Sequence, residues 1–88
     1  MSLDNKIEIY TTSYCPYCVK AKMLLQAKDV AFKEINVEGD NDARIRLAEK
    51  SGGRKTVPQI FINGSHVGGC DDLYALDKDG KLDKMLGK

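Results

Sequence analysis

Cys15 and Cys18 are separated by Pro16 and Tyr17, and this pair is the stretch best equipped for chemistry. A strand pattern ends just before it and a helix pattern begins just after it. Pro16 suits the first position of a helix, where its missing N–H would have no partner anyway. That assigns Cys15 to the N-cap, where its sulfur can accept hydrogen bonds from first-turn backbone N–H groups. The positive end of the helix dipole favours an anion at the same place. Both effects favour a thiolate, the form that attacks disulfides. Cys18 lies three residues on, on the same helix face, within reach of Cys15 but deeper in the first turn. Cys15 therefore reads as the exposed nucleophile and Cys18 as the resolving thiol. A C-x-x-C pair can also be half of a zinc site, but such a site needs a second pair of ligands. Only Cys70 and His66 remain, four apart in a strand-and-turn region. Redox chemistry is the stronger reading over zinc or a purely structural disulfide.

The elements that position the pair follow from the pattern of the chain. Lys6 to Thr11 alternates, Ile7 and Ile9 against Glu8 and Tyr10, and predicts a strand. A helix is expected from Pro16 to about Lys28, with Val19, Met23, Leu24 and Ala27 as its buried stripe and Lys20, Lys22 and Lys28 on the wet side. Val30 to Val37 alternates again and predicts a second strand. Asp40 or Asn41 caps a second helix running to about Ser51, with Ile45, Leu47 and Ala48 on its apolar side. Gly52 and Gly53 end it. Thr56 to Ile62 reads as a turn into a third strand, and Asn63-Gly64 is a strong hairpin signal into a fourth, Ser65 to Gly68. His66, the single histidine, is expected to be a surface or cross-strand residue and not a catalytic base. The acidic residues after Gly68-Gly69 mark the start of a third helix, with Leu73 and Leu76 buried. Gly80 separates it from a short last helix carrying Leu82, Met85 and Leu86. The order β-α-β-α-β-β-α-α, with a right-handed parallel βαβ unit first, predicts an α/β fold: a four-stranded mixed sheet with helices on both faces. C-x-x-C at a strand–helix junction in a βαβ pattern is a thioredoxin-like signature.

Size and composition bound the function. At 88 residues the chain is expected to be one domain, residues 1–88. A formal net charge of +1 gives no reason to expect nucleic acid or an anionic membrane, and no apolar run is long enough to span a bilayer. Asp4, Lys6 and Glu8 make the N-terminus unlike a signal peptide. The reducing cytoplasm is then the expected location, where three cysteines argue for redox use over stapling.

Cys15-Pro16-Tyr17-Cys18, Thr56-Val57-Pro58-Gln59-Ile60-Phe61-Ile62 and Gly68-Gly69-Cys70-Asp71-Asp72-Leu73, in that order and spacing, resemble a dithiol glutaredoxin of the small bacterial glutaredoxin 3 type. The resemblance runs from about Lys6 to Leu86. It implies a glutathione-dependent thiol–disulfide oxidoreductase that reduces protein–glutathione mixed disulfides and protein disulfides, with Cys15 and Cys18 catalytic. It further implies glutathione contacts from Cys15, Tyr17, Thr56, Val57, Pro58, Gly69, Cys70, Asp71 and Asp72, a cis bond between Val57 and Pro58, glutathione as reducing co-substrate without a metal, and a monomer. Ribonucleotide reductase is a protein substrate it suggests. The residues agree: glycines let a ligand backbone approach, the start of a helix suits a carboxylate, and Asp71 or Asp72 suits an ammonium group. Both aspartates could instead simply cap the helix. In one departure, Thr12 stands where many glutaredoxins carry lysine, which shifts the expected positive charge to Lys20, Arg54 or Lys55. The rival from another class is an iron–sulfur cluster carrier using Cys15 of two protomers and two glutathiones; Pro16 and Cys18 argue against it. Thioredoxins typically show a Trp-Cys-Gly-Pro-Cys motif, and this chain has no tryptophan.

Overall fold

A computed structural model of the chain describes residues 6–54 and 56–87. Asp4, cited above for the charge of the N-terminus, and Lys55, one of the candidate cations, lie outside the described residues. The elements are β1 (Ile7–Thr11), α1 (Pro16–Ala27), β2 (Lys33–Asn36), α2 (Asn41–Lys50), β3 (Gln59–Ile62), β4 (Ser65–Gly68), α3 (Cys70–Lys78) and α4 (Lys81–Met85). The strands form one four-stranded sheet in the order β2-β1-β3-β4. β1 pairs parallel with β2, and β3 pairs antiparallel with both β1 and β4. This is the expected mixed sheet.

Alternation along the strands divides the core between the two faces. Ile7, Ile9, Ile60 and Ile62 point to one face, where Ala21, Leu24 and Leu25 of α1, Leu73 of α3, and Leu82 and Leu86 at α4 cover them. Tyr10 and Phe61 point to the other, against Val37 and the α2 residues Ala43 and Leu47. β3 is covered on both faces, so all four of its residues are buried, the pattern of a strand without a wet side. Lys28, just past α1, makes ion pairs with Asp77 of α3 and Asp83 of α4, so it is not the solvated lysine the sequence suggests.

Two helices are rotated from their expected faces. In α1 the buried residues are Cys18, Ala21, Leu24 and Leu25, while Val19, Met23 and Ala27 face solvent. The helix is apolar around more than half its girth, so two stripes compete, and the one carrying small Ala21 and Cys18 packs closer to the sheet. In α2, Ala43 and Leu47 are buried and Ile45 is exposed. Asp40 fixes that phase by accepting the Ala43 N–H at 3.0 Å, which sets Ala43 and Leu47, four apart, against the sheet. The second strand is also shorter than the expected Val30 to Val37.

The register brings the chemistry-bearing loops to one end of the sheet. Tyr10, near the end of β1, pairs with Gln59 at the start of β3, and Ile60 pairs with Gly68 at the end of β4. The loop after β1, the loop before β3 and the turn after β4 therefore meet. Leu47 is fully buried and Ile45 is 57% exposed, so the two substitutions separate cleanly. Leu47→Ala is expected to cost about 2–5 kcal/mol in urea unfolding, and Ile45→Ala less than about 0.5 kcal/mol. Equal costs would contradict the phase of α2.

Candidate active site

β1 holds the approach to the cysteines. Thr11 is fully buried, its carbonyl accepts the Val37 N–H at 2.8 Å, and its hydroxyl donates to Glu34 at 2.8 Å. The Glu34 carboxyl is held below its ordinary range by that hydroxyl and by Lys22. The loop then turns through Tyr14, which takes a left-handed φ of 57° and leaves its ring fully exposed. Cys15 is extended and caps α1, with Pro16 in the first helical position. The Cys18 N–H donates to Cys15 Sγ at 3.2 Å. No acidic residue lies in the first turn of α1, so nothing there opposes negative charge on the sulfur. Cys15 and Cys18 are paired as a disulfide, Cys18 buried and Cys15 half-buried. The two sulfurs therefore differ in access, Cys15 being the more open.

Beside the pair opens a cleft of about 320 Å³, within the size range of small-ligand sites. Tyr17 forms its wall on the α1 side. Thr56, Val57 and Pro58 form a second wall, and the Val57–Pro58 bond is cis, as expected. Gly69, Cys70, Asp71 and Asp72, at the start of α3, form the third. Every glutathione contact expected from the sequence except Cys15 lines this cleft. Arg54 also lines it. Of the three candidate cations it alone lies in the wall among the described residues; Lys20, on α1, is exposed.

The wall at α3 is built without side-chain bulk. Gly68 has a φ of +121°, and a Cβ there would collide with the Asp72 carboxylate. At Gly69 a Cβ would come 3.3 Å from the Pro58 carbonyl oxygen. Asp72 does serve as a cap: its carboxylate accepts the Gly69 N–H at 2.9 Å. The same oxygen lies 3.4 Å from the Arg54 guanidinium, an exposed pair of little energetic weight. The backbone N–H groups of Cys70, Asp71 and Asp72 belong to the first turn, where the helix supplies no backbone acceptor.

The third thiol differs from the pair. Cys70 is buried, and burial pushes its pKa up, with Asp71 adding to the rise and Lys20 opposing it. Burial thus favours the neutral thiol at Cys70. His66 is a cross-strand residue, stacked on Phe61 with ring centroids 5.0 Å apart and bonded to Gln59 at 2.7 Å. Burial, then the Arg54 charge, lowers its pKa, with Asp72 opposing. Among the described residues no three His, Cys, Asp or Glu side chains gather as a metal site requires, and no helix is long and apolar enough to cross a membrane.

Comparison with known proteins gives one answer. The glutaredoxin family model matches residues 7–67. The glutaredoxin of Pseudomonas aeruginosa is 56% identical over 80 residues, covering 91% of this chain and 94% of that one. The crystal structure of a buckwheat glutaredoxin–glutathione complex superposes with a TM-score of 0.84 at 32% identity, covering 94% of this chain and 77% of that one. The solution structure of a dithiolic glutaredoxin from Trypanosoma brucei brucei gives 0.83 at 41% identity, covering 93% and 87%. The thioredoxin-like fold expected from the sequence is therefore the observed one.

The cap at Asp72 yields a stability test. Asp72→Ala, which removes the acceptor for the Gly69 N–H, is expected to lower stability by about 1 kcal/mol. Asp72→Asn keeps an acceptor and should stay within about 0.5 kcal/mol of the parent. Urea denaturation of the two variants measures both; an Asn variant as unstable as the Ala variant would remove the cap from the account.

Proposed function

The chain belongs to the glutaredoxin family of thiol–disulfide oxidoreductases, and we propose that it reduces protein–glutathione mixed disulfides and protein disulfides with glutathione as its reductant. The observation that carries this reading is the redox pair at the start of α1, opening beside a cleft bounded by Val57 and the start of α3.

In the proposed cycle the Cys15 thiolate attacks the glutathione sulfur of a glutathionylated protein. The protein leaves as its thiol, and glutathione is left in a disulfide with Cys15. A second glutathione thiolate attacks that bond, releasing glutathione disulfide and returning Cys15. For a protein disulfide, Cys15 attacks one sulfur and holds the protein in a mixed disulfide. Cys18, three residues away in the first turn, then displaces the protein and closes the Cys15–Cys18 bond, which two glutathiones reopen. Access orders the roles, because only the half-exposed Cys15 can meet a large substrate.

The cleft suits a tripeptide in one direction. The backbone at Val57, held by the cis bond to Pro58, pairs with an extended peptide as an added strand. The first-turn N–H groups of α3 receive the α-carboxylate of the γ-glutamyl end, and the Asp72 carboxylate receives its ammonium. Arg54 offers positive charge in place of the lysine absent at position 12. Tyr17, Thr56, Pro58, Gly69, Cys70 and Asp71 complete the contacts, Cys70 mainly through its backbone. We assign the chain to the cytoplasm, as a monomer of one domain spanning residues 1–88, with ribonucleotide reductase among its candidate protein substrates.

A glutathione-coupled assay tests the cysteine roles. Cys15→Ser should abolish both activities. Cys18→Ser should retain deglutathionylation and lose most protein-disulfide reduction, since only the second route needs a resolving thiol. Deglutathionylation that survives Cys15→Ser would invert the assignment. In the same assay Asp72→Asn should raise the KM for glutathione about threefold to tenfold, for loss of a half-exposed charge-assisted contact. An unchanged KM would take Asp72 out of the site.

A further inference from the structure

Gln59 is a primary amide in a strand whose other residues, Ile60, Phe61 and Ile62, are apolar and whose every residue is buried. Its side chain has no exposure at all. Methionine would fill nearly the same volume without taking an amide out of water, which is costly unless the amide is bonded. Among the described residues the amide makes two directed bonds. Its oxygen lies 2.7 Å from His66 Nε2, and its nitrogen donates to Thr56 Oγ1 at 3.1 Å. The first partner is on β4 and the second lines the cleft. Gln59 thus joins the sheet edge to the cleft wall.

The bonds have a polarity set by the groups themselves. A carboxamide oxygen only accepts, so His66 Nε2 carries the hydrogen of the first bond. The amide nitrogen only donates, so Thr56 Oγ1 accepts in the second. A hydroxyl has one hydrogen, and with Gln59 donating to its lone pair that hydrogen points away from Gln59. We propose that Gln59, oriented by His66, is a positioning residue for the tripeptide: it aims the Thr56 hydroxyl as a donor at a carbonyl or carboxylate oxygen of bound glutathione. This rests on the functional reading above and extends it from the cleft wall to the layer behind it. The Phe61 ring holds the imidazole from below. Arg54 and Asp72 are the charges that face it, and its lowered pKa favours the neutral ring, whose single hydrogen then sits on Nε2.

A double-mutant cycle in the glutathione-coupled assay tests the proposal, with thermal melting of each variant alongside. Gln59→Met and Thr56→Val should each raise the KM for glutathione about threefold to tenfold, the worth of one neutral hydrogen bond, with kcat changed less than about twofold. The double variant should match Thr56→Val alone, because the amide acts only through that hydroxyl. Thr56→Ser should restore the parent KM. Should Gln59→Met not fold, His66→Phe keeps the stack on Phe61 and removes the donor; it should raise KM about twofold, and not at all in the Thr56→Val background. Increments that add in full, or single variants with the parent KM, would overturn the proposal while wild-type saturation by glutathione left the functional reading standing. A wild-type protein with no saturable dependence on glutathione would overturn both.

Discussion

One hydrogen bond, from the Cys18 backbone N–H to Cys15 Sγ at 3.2 Å, states the constraint on which the site depends. It exists because the sulfur occupies the N-cap of α1, where backbone donors converge and the helix dipole is positive. As a disulfide the sulfur accepts this bond weakly. As a thiolate it would accept it as an anion, so the bond favours the reduced, charged form that does the chemistry. The capping position is maintained from behind by Thr11, buried and bonded to both Val37 and Glu34, and from ahead by Pro16.

The sheet supplies the other half of the arrangement. β3 runs antiparallel to β1, so the loop entering β3 arrives where the loop leaving β1 departs. β4 returns antiparallel to β3 and ends at the same place. Three segments far apart in sequence thereby share one cleft without any of them being long. Gly68 and Gly69 allow the approach: the first adopts a backbone conformation closed to side chains, and the second lies against the Pro58 carbonyl. A side chain at Gly68 would strike the Asp72 carboxylate, and one at Gly69 would press on the Pro58 carbonyl.

Local chemistry was legible in the sequence where a residue type has a single good structural use. Pro16 after Cys15 marks the cap and Asn63-Gly64 the hairpin, while the pair Asp40-Asn41 marks the start of α2, where Asp40 proves to be the cap. The helix faces were less legible. Val19 and Met23 look like core by hydropathy, but Cys18, Ala21 and Leu25 form an equally regular stripe, and close packing on the sheet favours the smaller residues. Ile45 was misplaced for a related reason, since apolar content alone does not fix helical phase, whereas the Asp40 cap does. Arg54 in the cleft wall was legible only as one of three candidate cations. The linkage from His66 through Gln59 to Thr56 had one sequence signal, a glutamine inside an apolar strand run, whose partners come together only once β4 has paired with β3.

The most direct test of the account is the pH dependence of alkylation of the reduced protein by iodoacetamide, with the modified cysteine identified by peptide mapping. Cys15 should react first, with a midpoint well below the value of about 8.5 for a free cysteine, while Cys18 and Cys70 react slowly until the protein unfolds. A Cys15 midpoint at or above that value, or earlier modification of Cys18, would contradict the claim that the start of α1 makes Cys15 the nucleophile.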